Sequence, residues 1–212
     1  MSGRLPRPLA HTDALPAPAV LAVAFLCGAV PFSNIAARLV RGVDLRDVGT
    51  GTVSGTALHE VAGFGPLAVA GVLEVAKGSV GPVLAGRNRP ALAAAAGGAA
   101  VAGHNWSPFL RGAGGRGISP ATGALLVSAP TGAAVLLGGL AAGRVARQTA
   151  LVSLIADVAL VPVARRLHGE RGGMAAAAVV GVIVAKRLAG NAPAPRATRW
   201  TTLRHRLLFD RD

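Results

Sequence analysis

The sequence predicts an all-α integral membrane protein, a polytopic bundle of about five to seven transmembrane helices. Of its 212 residues, 52% are hydrophobic and only 15% are charged, and the mean hydropathy is +0.52, which is unlike an average soluble domain. A helix that crosses a bilayer needs roughly 20 predominantly apolar residues. Stretches that approach or reach this length lie at residues 18–37, 61–86, 90–110, 118–143, 149–164 and 172–185.

The formal net charge of +13 has two interpretations. A basic face is typical of proteins that bind nucleic acid. Here the arginines stand between and just beyond the apolar stretches, where membrane proteins keep charge and where anionic headgroups attract it. The pairs are Arg38 and Arg41, Arg87 and Arg89, Arg144 and Arg147, and Arg165 and Arg166. We therefore expect the lipid bilayer as a partner and no nucleic acid.

The two ends of the chain differ in composition from its apolar middle. Residues 1–16 are proline-rich and are expected to form a disordered N-terminal lead. Residues 17–190 are predicted to form a single transmembrane domain, whose first apolar stretch is a retained span rather than a cleaved signal peptide. Residues 191–212 are predicted to be a basic cytoplasmic tail, either an amphipathic helix on the anionic inner leaflet or an unstructured segment.

The most basic segments are the polar stretches at residues 41–60 and 111–119 and the tail. The positive-inside rule places all three in the cytoplasm. With the N-terminus outside, this orientation requires an odd number of spans. One of the six stretches is therefore expected to be re-entrant or divided in two.

Pro31 and Ser33 lie near the end of the first apolar stretch, in GAVPFSNIAARL. Taken alone, they predict a proline kink with a serine bonded back to a freed carbonyl. The next segment, residues 41–60, is rich in Gly, Thr and Asp and is predicted to be a loop. Arg46 stands there between two aspartates, which is typical of a solvated charge, although the spaced glycines that follow suit an anion-binding nest.

Two opposite charges interrupt the apolar stretch at residues 61–86. Glu74 and Lys77 are three residues apart, so on a helix they share one face and can pair. The alternative is that Lys77 binds a phosphate. Gly78 and Pro82 suggest that the helix ends near the lysine, close to a surface.

The run GHNWSPFLRGAGGRG at residues 103–117 predicts a phosphate-binding loop. Its glycines let the backbone approach an anion closely, and Arg111 and Arg116 carry guanidinium groups whose geometry suits phosphate. It is not a Walker loop, because the lysine and Ser/Thr of that pattern are absent. His104 is a candidate general base or headgroup ligand, although a lone histidine beside a tryptophan is more often a structural hydrogen-bonding group.

Two common kinds of chemistry are excluded by the sequence. There is no G-x-S-x-G nucleophile elbow, so acyl transfer would need another mechanism. Cys27 is the only cysteine, which excludes disulfides and thiolate metal sites. No clear requirement for a metal is visible, and Asp157 inside an apolar stretch is assigned no role.

Four segments in chain order resemble the bacterial acyl-phosphate:glycerol-3-phosphate acyltransferases, the PlsY family. Members of that family read roughly IPFSYLIARL, DIRxxGSGNxGATN, DxxKG and GHxFPVFLxFxGGKG. This chain reads VPFSNIAARL, VDLRDVGTGTVSGTA, EVAKG and GHNWSPFLRGAGGRG at similar separations. The similarity runs from about residue 28 to about residue 123, and more weakly to about residue 190.

The resemblance implies a multi-pass enzyme of the bacterial inner membrane with its active site facing the cytoplasm. Such an enzyme moves a fatty acyl group from acyl phosphate to the 1-hydroxyl of glycerol 3-phosphate, which forms lysophosphatidate for phospholipid biosynthesis, and it needs no cofactor. The resemblance implies catalytic roles for Ser33 and Arg46 and phosphate binding by Lys77, Gly114, Gly115, Arg116 and Gly117. Further candidates are His104, Arg111 and Thr52.

The chain departs from the family pattern at several motif positions. Thr52 and Ala57 replace asparagines, and Arg116 replaces the loop lysine. The family's C-terminal HRxNIxRLxxGxE is reduced to VAKRLAGNAP, without its histidine and asparagine. The alternative is therefore a non-catalytic relative that binds phosphorylated lipid precursors or another membrane enzyme. A small transporter is a third hypothesis, but the sequence shows no inverted repeats.

Overall fold

The computed structural model describes residues 15–190 and 199–209. Residues 1–14 of the predicted lead, and residues 191–198 and 210–212 of the tail, lie outside the described residues. Within the described ranges the chain forms nine α-helices and no strand, so the all-α prediction is confirmed there. The helices are α1 (Ala17–Ala29), α2 (Phe32–Arg41), α3 (Gly55–Ala62), α4 (Phe64–Ala85), α5 (Pro90–Asn105), α6 (Ile118–Ser128), α7 (Pro130–Val145), α8 (Thr149–Ala189) and α9 (Arg199–Phe209).

Glycines bring α1 and α5 into backbone contact. A Cβ atom on Gly28 would fall on the carbonyl of Ala100, and one on Gly103 would fall on the carbonyl of Phe25. Close approach of this kind is typical of membrane helices, because lipid supplies no hydrophobic drive between them and small residues permit van der Waals packing. The contact holds the end of α1 against the end of α5, where the site described below lies.

The predicted loop at residues 41–60 is shorter than expected. Its last residues belong to α3, which begins at Gly55 because the Ser54 side chain accepts the backbone N–H of Ala57, a typical N-cap. Before it, residues Leu45–Asp47 form a single 3₁₀ turn. The polar segment is therefore a turn followed by a short helix.

The prediction that the helix ends near Lys77 is wrong. Helix α4 continues to Ala85 and contains Pro82, and Lys77 is buried. Gly78 does not terminate the helix. It marks the place where α6 crosses α4, because a Cβ atom on Gly78 would fall on the carbonyl of Pro120.

Two further apolar stretches are arranged differently from the prediction. The stretch at residues 118–143 is divided at Ala129 into α6 and α7; the number of membrane spans stays a prediction. The stretches at residues 149–164 and 172–185 are two arms of α8, joined at Gly169, whose φ of 65° and ψ of −159° interrupt the helix. Arg187 Nη1 lies 3.1 Å from the carbonyl oxygen of Ala150, so the arms run antiparallel.

The outer surface of the bundle carries many exposed apolar side chains. They include Leu26, Val69, Val72, Ile155 and Val158. A surface of this kind indicates contact with lipid or with another apolar partner. Two helical stretches of the described chain, residues 17–41 and 64–85, are long and apolar enough to cross a membrane by length and composition alone.

Helix α9 packs against the end of α8. Arg206 donates hydrogen bonds to the carbonyl oxygens of Leu188 and Ala189, at 3.3 and 2.8 Å. The last carbonyls of a helix have no partner within it, and a basic side chain satisfies them well. Residues 199–209 of the tail are therefore helical rather than unstructured, and the position of this helix on the inner leaflet stays a prediction.

Candidate functional site

Five separate parts of the chain meet at a narrow cleft. They are the end of α1, the segment before α3, the middle of α4, the end of α5 and the glycine-rich segment that follows it. The residues that line the cleft are Ala29, Pro31, Val53, Glu74, Lys77, His104, Ser107, Leu110, Gly114 and Gly115. Residues from all four sequence motifs are thus brought together at one place.

Glu74 is the centre of the polar contacts in this cleft. Its Oε1 atom accepts the backbone N–H of Ser33 at 3.0 Å and the Ser33 hydroxyl at 3.2 Å. Its Oε2 atom lies 2.6 Å from Lys77 Nζ, an ion pair without hydrogen-bond geometry, since Oε2 has no hydrogen-bond partner among the described residues. Because only 3% of Glu74 is exposed, this pairing offsets the cost of burying its charge.

Lys77 also supplies a hydrogen bond to a backbone carbonyl that is left without a helical partner where α1 ends. Pro31 ends α1, as predicted, and Lys77 Nζ donates to the carbonyl oxygen of Val30 at 2.7 Å. The prediction that Ser33 bonds back to a freed carbonyl is wrong, because its hydroxyl bonds Glu74 instead. Lys77 thus pairs with Glu74, as one interpretation predicted, and also lines the cleft, as phosphate binding requires.

His104 completes the buried cluster. Its Nδ1 atom lies 3.1 Å from both Glu74 Oε2 and Lys77 Nζ, and one ring nitrogen cannot donate to the first and accept from the second at once. The Lys77 ammonium can only donate, so Nδ1 accepts in its hydrogen bond with Lys77, and Glu74 Oε2, which has no hydrogen-bond partner in the described chain, is a neighbouring charge. The opposite side of the ring faces the loop, where a Cβ atom on Gly115 would fall on His104 Nε2.

The glycine-rich loop lines the cleft with Gly114 and Gly115, so only backbone atoms of the loop face it there. Gly114 accepts a hydrogen bond from Val53 N–H at 3.2 Å, and Gly115 N–H donates to the carbonyl oxygen of His104 at 3.2 Å. Gly117, with φ of 82°, is the N-cap of α6. The two arginines of the loop, Arg111 and Arg116, are not among the residues that line the cleft, and Arg111 is exposed.

Arg46 lies at the rim of the cleft, in the 3₁₀ turn. Its Nε and Nη2 atoms donate to the Asp44 carboxylate at 3.1 and 2.7 Å, and its Nη1 atom is 3.5 Å from the carbonyl oxygen of Leu110. The hydrogen bond from Arg46 holds the pKa of the Asp44 carboxyl well below its ordinary value. Asp44 in turn raises the pKa of Arg46, so the arginine keeps its charge beside the cleft.

Two other polar residues are placed near the site. Thr52 is buried directly before Val53, and its Oγ1 atom is 3.1 Å from that of Thr50. Lys186 is buried on the second arm of α8, with Nζ 5.4 Å from the ring centroid of Trp106, a distance typical of a cation–π contact.

Sequence reasoning did not assign Glu74 or Lys186 to the site. The signal for Glu74 was present, since a carboxylate inside an apolar stretch is a functional candidate by default. Lys186 stands in the remnant of the C-terminal motif and gave no signal, because its contact with Trp106 joins residues 80 positions apart.

A protein-family model described as glycerol-3-phosphate acyltransferase matches residues 18–194 of the chain. The chain belongs to the glycerol-3-phosphate acyltransferase family. This confirms the resemblance to PlsY that the four motifs indicated. Helix α9 lies beyond the matched segment.

Individual members of the glycerol-3-phosphate acyltransferase family are similar over most of the chain. The protein of that name from Chlorobaculum tepidum is 33% identical over 155 residues, which are 66% of this chain and 67% of the relative. The one from Myxococcus xanthus is 37% identical over 147 residues, which are 68% and 77% of the two chains. The one from Desulforudis audaxviator is 38% identical over 156 residues, which are 71% and 76%.

The fold is similar to that of a solved glycerol-3-phosphate acyltransferase. A crystal structure of PlsY, an integral membrane enzyme, in its glycerol 3-phosphate form matches with a TM-score of 0.71 and 23% identity, over 81% of this chain and 88% of the other. Its lysophosphatidic acid form matches with a TM-score of 0.70 and 20% identity, over 90% and 93%. The chain therefore has the fold of an integral membrane protein.

Proposed function

We propose that this protein transfers a fatty acyl group from acyl phosphate to the 1-hydroxyl of glycerol 3-phosphate. The observation that supports this most directly is the convergence of Glu74, Lys77 and the Gly114–Gly115 backbone at one cleft, with Ser33 hydrogen-bonded to Glu74. Family membership supports the same reaction class. The product, lysophosphatidate, enters phospholipid biosynthesis.

The chemistry of the donor explains how the reaction proceeds without a nucleophile elbow. Acyl phosphate is a mixed anhydride and is already activated. The acceptor hydroxyl oxygen attacks the acyl carbon, the bond from that carbon to the phosphate oxygen breaks, and inorganic phosphate leaves with the hydroxyl proton. The protein then needs chiefly to hold the two substrates together and to stabilise negative charge.

The proposed roles follow from the contacts of each residue. Ser33 donates its hydroxyl proton to Glu74, which leaves the oxygen lone pairs available to accept from the acceptor hydroxyl. Lys77 in the cleft and Arg46 at its rim supply positive charge for phosphate, and the Gly114–Gly117 backbone allows close approach. Glu74 is a positioning residue that orients Ser33 and Lys77.

The arrangement of the helices also supports a topology of seven crossings. The crossing segments are α1, α4, α5, α6, α7 and the two arms of α8. The site end of the bundle holds the more basic loops, including Arg46, Arg144, Arg147 and Arg187, whereas Arg87, Arg89, Arg165 and Arg166 lie at the opposite end. The positive-inside rule then places the cleft on the cytoplasmic side of the bacterial inner membrane.

Cysteine labelling tests this topology. In a Cys27→Ala background, a cysteine at exposed Asn88 is expected to react with a membrane-impermeant maleimide in intact spheroplasts. A cysteine at exposed Thr56, at the site end, is expected to react only after permeabilisation. Labelling of Thr56→Cys alone in intact spheroplasts would reverse the proposed orientation.

An acyl-transfer assay tests the proposed function itself. Protein purified into lipid nanodiscs is given palmitoyl phosphate and radiolabelled glycerol 3-phosphate, and lysophosphatidate is expected with release of one inorganic phosphate for each product molecule. Palmitoyl-CoA serves as the control donor and is expected to yield no product. Folded protein that gives no product from either donor would reject the enzyme and favour the non-catalytic relative, which the reduced C-terminal motif suggests.

A further inference from the structure

Asn105 is the last residue of α5 and lies directly beneath the glycine-rich loop. It is completely buried, with an exposed fraction of 0%. A Cβ atom on Gly114 would lie 2.6 Å from the Asn105 carbonyl oxygen, and one on Gly117 would lie 2.9 Å from its Oδ1 and 3.2 Å from its Nδ2. Both ends of the loop therefore rest on this asparagine.

The side-chain amide of Asn105 makes no hydrogen bond within the described part of the chain. Both Oδ1 and Nδ2 lack a partner. Buried polar groups in proteins are hydrogen-bonded in the great majority of cases, and an exception calls for a specific explanation. Removal from water without a new hydrogen bond destabilises the protein, so a purely structural asparagine is poorly suited to this position.

The amide lies next to an uncapped helix N-terminus. Gly117 is the N-cap of α6, a helix of 11 residues, and no side chain accepts its first backbone N–H groups. Pro120 has no N–H, and the Ala121 N–H bonds the Gly117 carbonyl oxygen. It is therefore the N–H groups of Ile118 and Ser119, together with the helix dipole, that favour an anion at this end. An amide N–H₂ group beside them adds two further donors.

We propose that Asn105 is a phosphate ligand, which donates from Nδ2 to an anion bound at the N-terminus of α6. This inference rests on the proposed function and assigns one phosphate subsite of that reaction to Asn105 and the Gly114–Gly117 loop. Three of the four loop residues, Gly114, Gly115 and Gly117, carry no side chain. Binding therefore requires only a shift of the loop backbone to bring the anion to the buried amide.

Replacement of Asn105 by leucine separates a ligand role from a structural one. Without phosphate, Asn105→Leu is expected to melt at the same temperature as wild type or higher, because an unpaired buried amide is removed. The rise in melting temperature that inorganic phosphate produces in wild type is expected to disappear. The KM for whichever substrate uses this subsite is expected to rise about 10- to 100-fold, the range for a hydrogen bond to a charged group.

Ser128→Ala is the matched control. Ser128 is buried at the opposite end of α6, and its Oγ atom also lacks a hydrogen-bond partner in the described chain. Its replacement removes an unpaired polar atom far from the loop. The rise in melting temperature with inorganic phosphate, called here the phosphate response, is therefore expected to stay as in wild type. Separate KM values for glycerol 3-phosphate and palmitoyl phosphate show which of the two phosphates occupies the subsite.

The outcomes distinguish this proposal from the proposed function. A variant that melts lower than wild type yet keeps the phosphate response would overturn the ligand role and make Asn105 structural. A wild-type protein that shows no phosphate response would also overturn it. If wild type responds to phosphate and Asn105→Leu does not, but no acyl transfer occurs, the subsite stands and the enzyme is rejected. If the leucine variant fails to fold, Asn105→Ala, which adds no bulk, serves the same comparison.

Discussion

Lys77→Met is expected to destabilise the protein by roughly 3–5 kcal/mol, the range for removal of one partner from a buried ion pair. The variant leaves the Glu74 carboxylate buried without its ammonium, 2.6 Å away in wild type. It also removes the donor to the Val30 carbonyl oxygen. Acyl transfer is expected to be lost, because the cleft loses its innermost positive charge. Unfolding in detergent with increasing SDS, together with the acyl-transfer assay, measures both effects.

The double variant Lys77→Met with Glu74→Gln is the control for this prediction. Glutamine retains an oxygen that accepts from Ser33 but carries no charge, so most of the lost stability is expected to return. Acyl transfer is expected to stay absent, since the cation is still missing. Neighbouring residues of this kind show non-additive effects. If the double variant were no more stable than Lys77→Met, the ion pair would not be the source of the destabilisation.

Ser33→Ala is expected to lower the rate of acyl transfer by about 10²- to 10³-fold, the range for loss of one group that stabilises the transition state. Its stability is expected to change by only about 1 kcal/mol, because the backbone N–H of Ser33 still donates to Glu74 at 3.0 Å. The rate constant at saturating substrates and the melting temperature test the two parts separately.

Ser79→Ala is the matched control for Ser33. The Ser79 hydroxyl is also on a helix near the site, but it donates to the carbonyl oxygen of Ala76 in its own helix at 2.7 Å. Its replacement is expected to leave acyl transfer unchanged. A Ser33→Ala protein with wild-type activity would show that the hydroxyl takes no part in the reaction, and the remaining roles would rest on charge and positioning alone.

The C-terminal arm of α8 carries the remnant of the family's C-terminal motif. Arg187, one of the retained motif residues, donates to Ser153 Oγ and to the Ala150 carbonyl oxygen, both at 3.1 Å. It also reaches the carbonyl oxygen of Leu207 in α9 at 3.4 Å. Arg187 therefore joins the two arms of α8 to α9.

Local patterns in the sequence predicted the positions of several site residues. Ser33 follows a helix-breaking proline, Lys77 interrupts an apolar stretch, and the glycines at 114 and 115 interrupt any helix. All four line or touch one cleft. The same reasoning placed Arg111 and Arg116 in the phosphate site, but neither lines the cleft. The sequence of the segment shows which charged residues are close to the glycines along the chain. The direction in which each side chain points depends on the conformation of the turn that carries it.

The sequence by itself determined the helical membrane class, the family and the segments that carry the site, because hydropathy and motif spacing are properties of short stretches of chain. Only the tertiary structure decided that Glu74 bonds Ser33 and that Lys77 meets His104, since these two contacts span 41 and 27 positions of the chain. It also decided that Gly78 is a helix crossing and not a helix end. The physical reason is that a glycine or a buried charge has several local interpretations, and the neighbouring helix selects one of them.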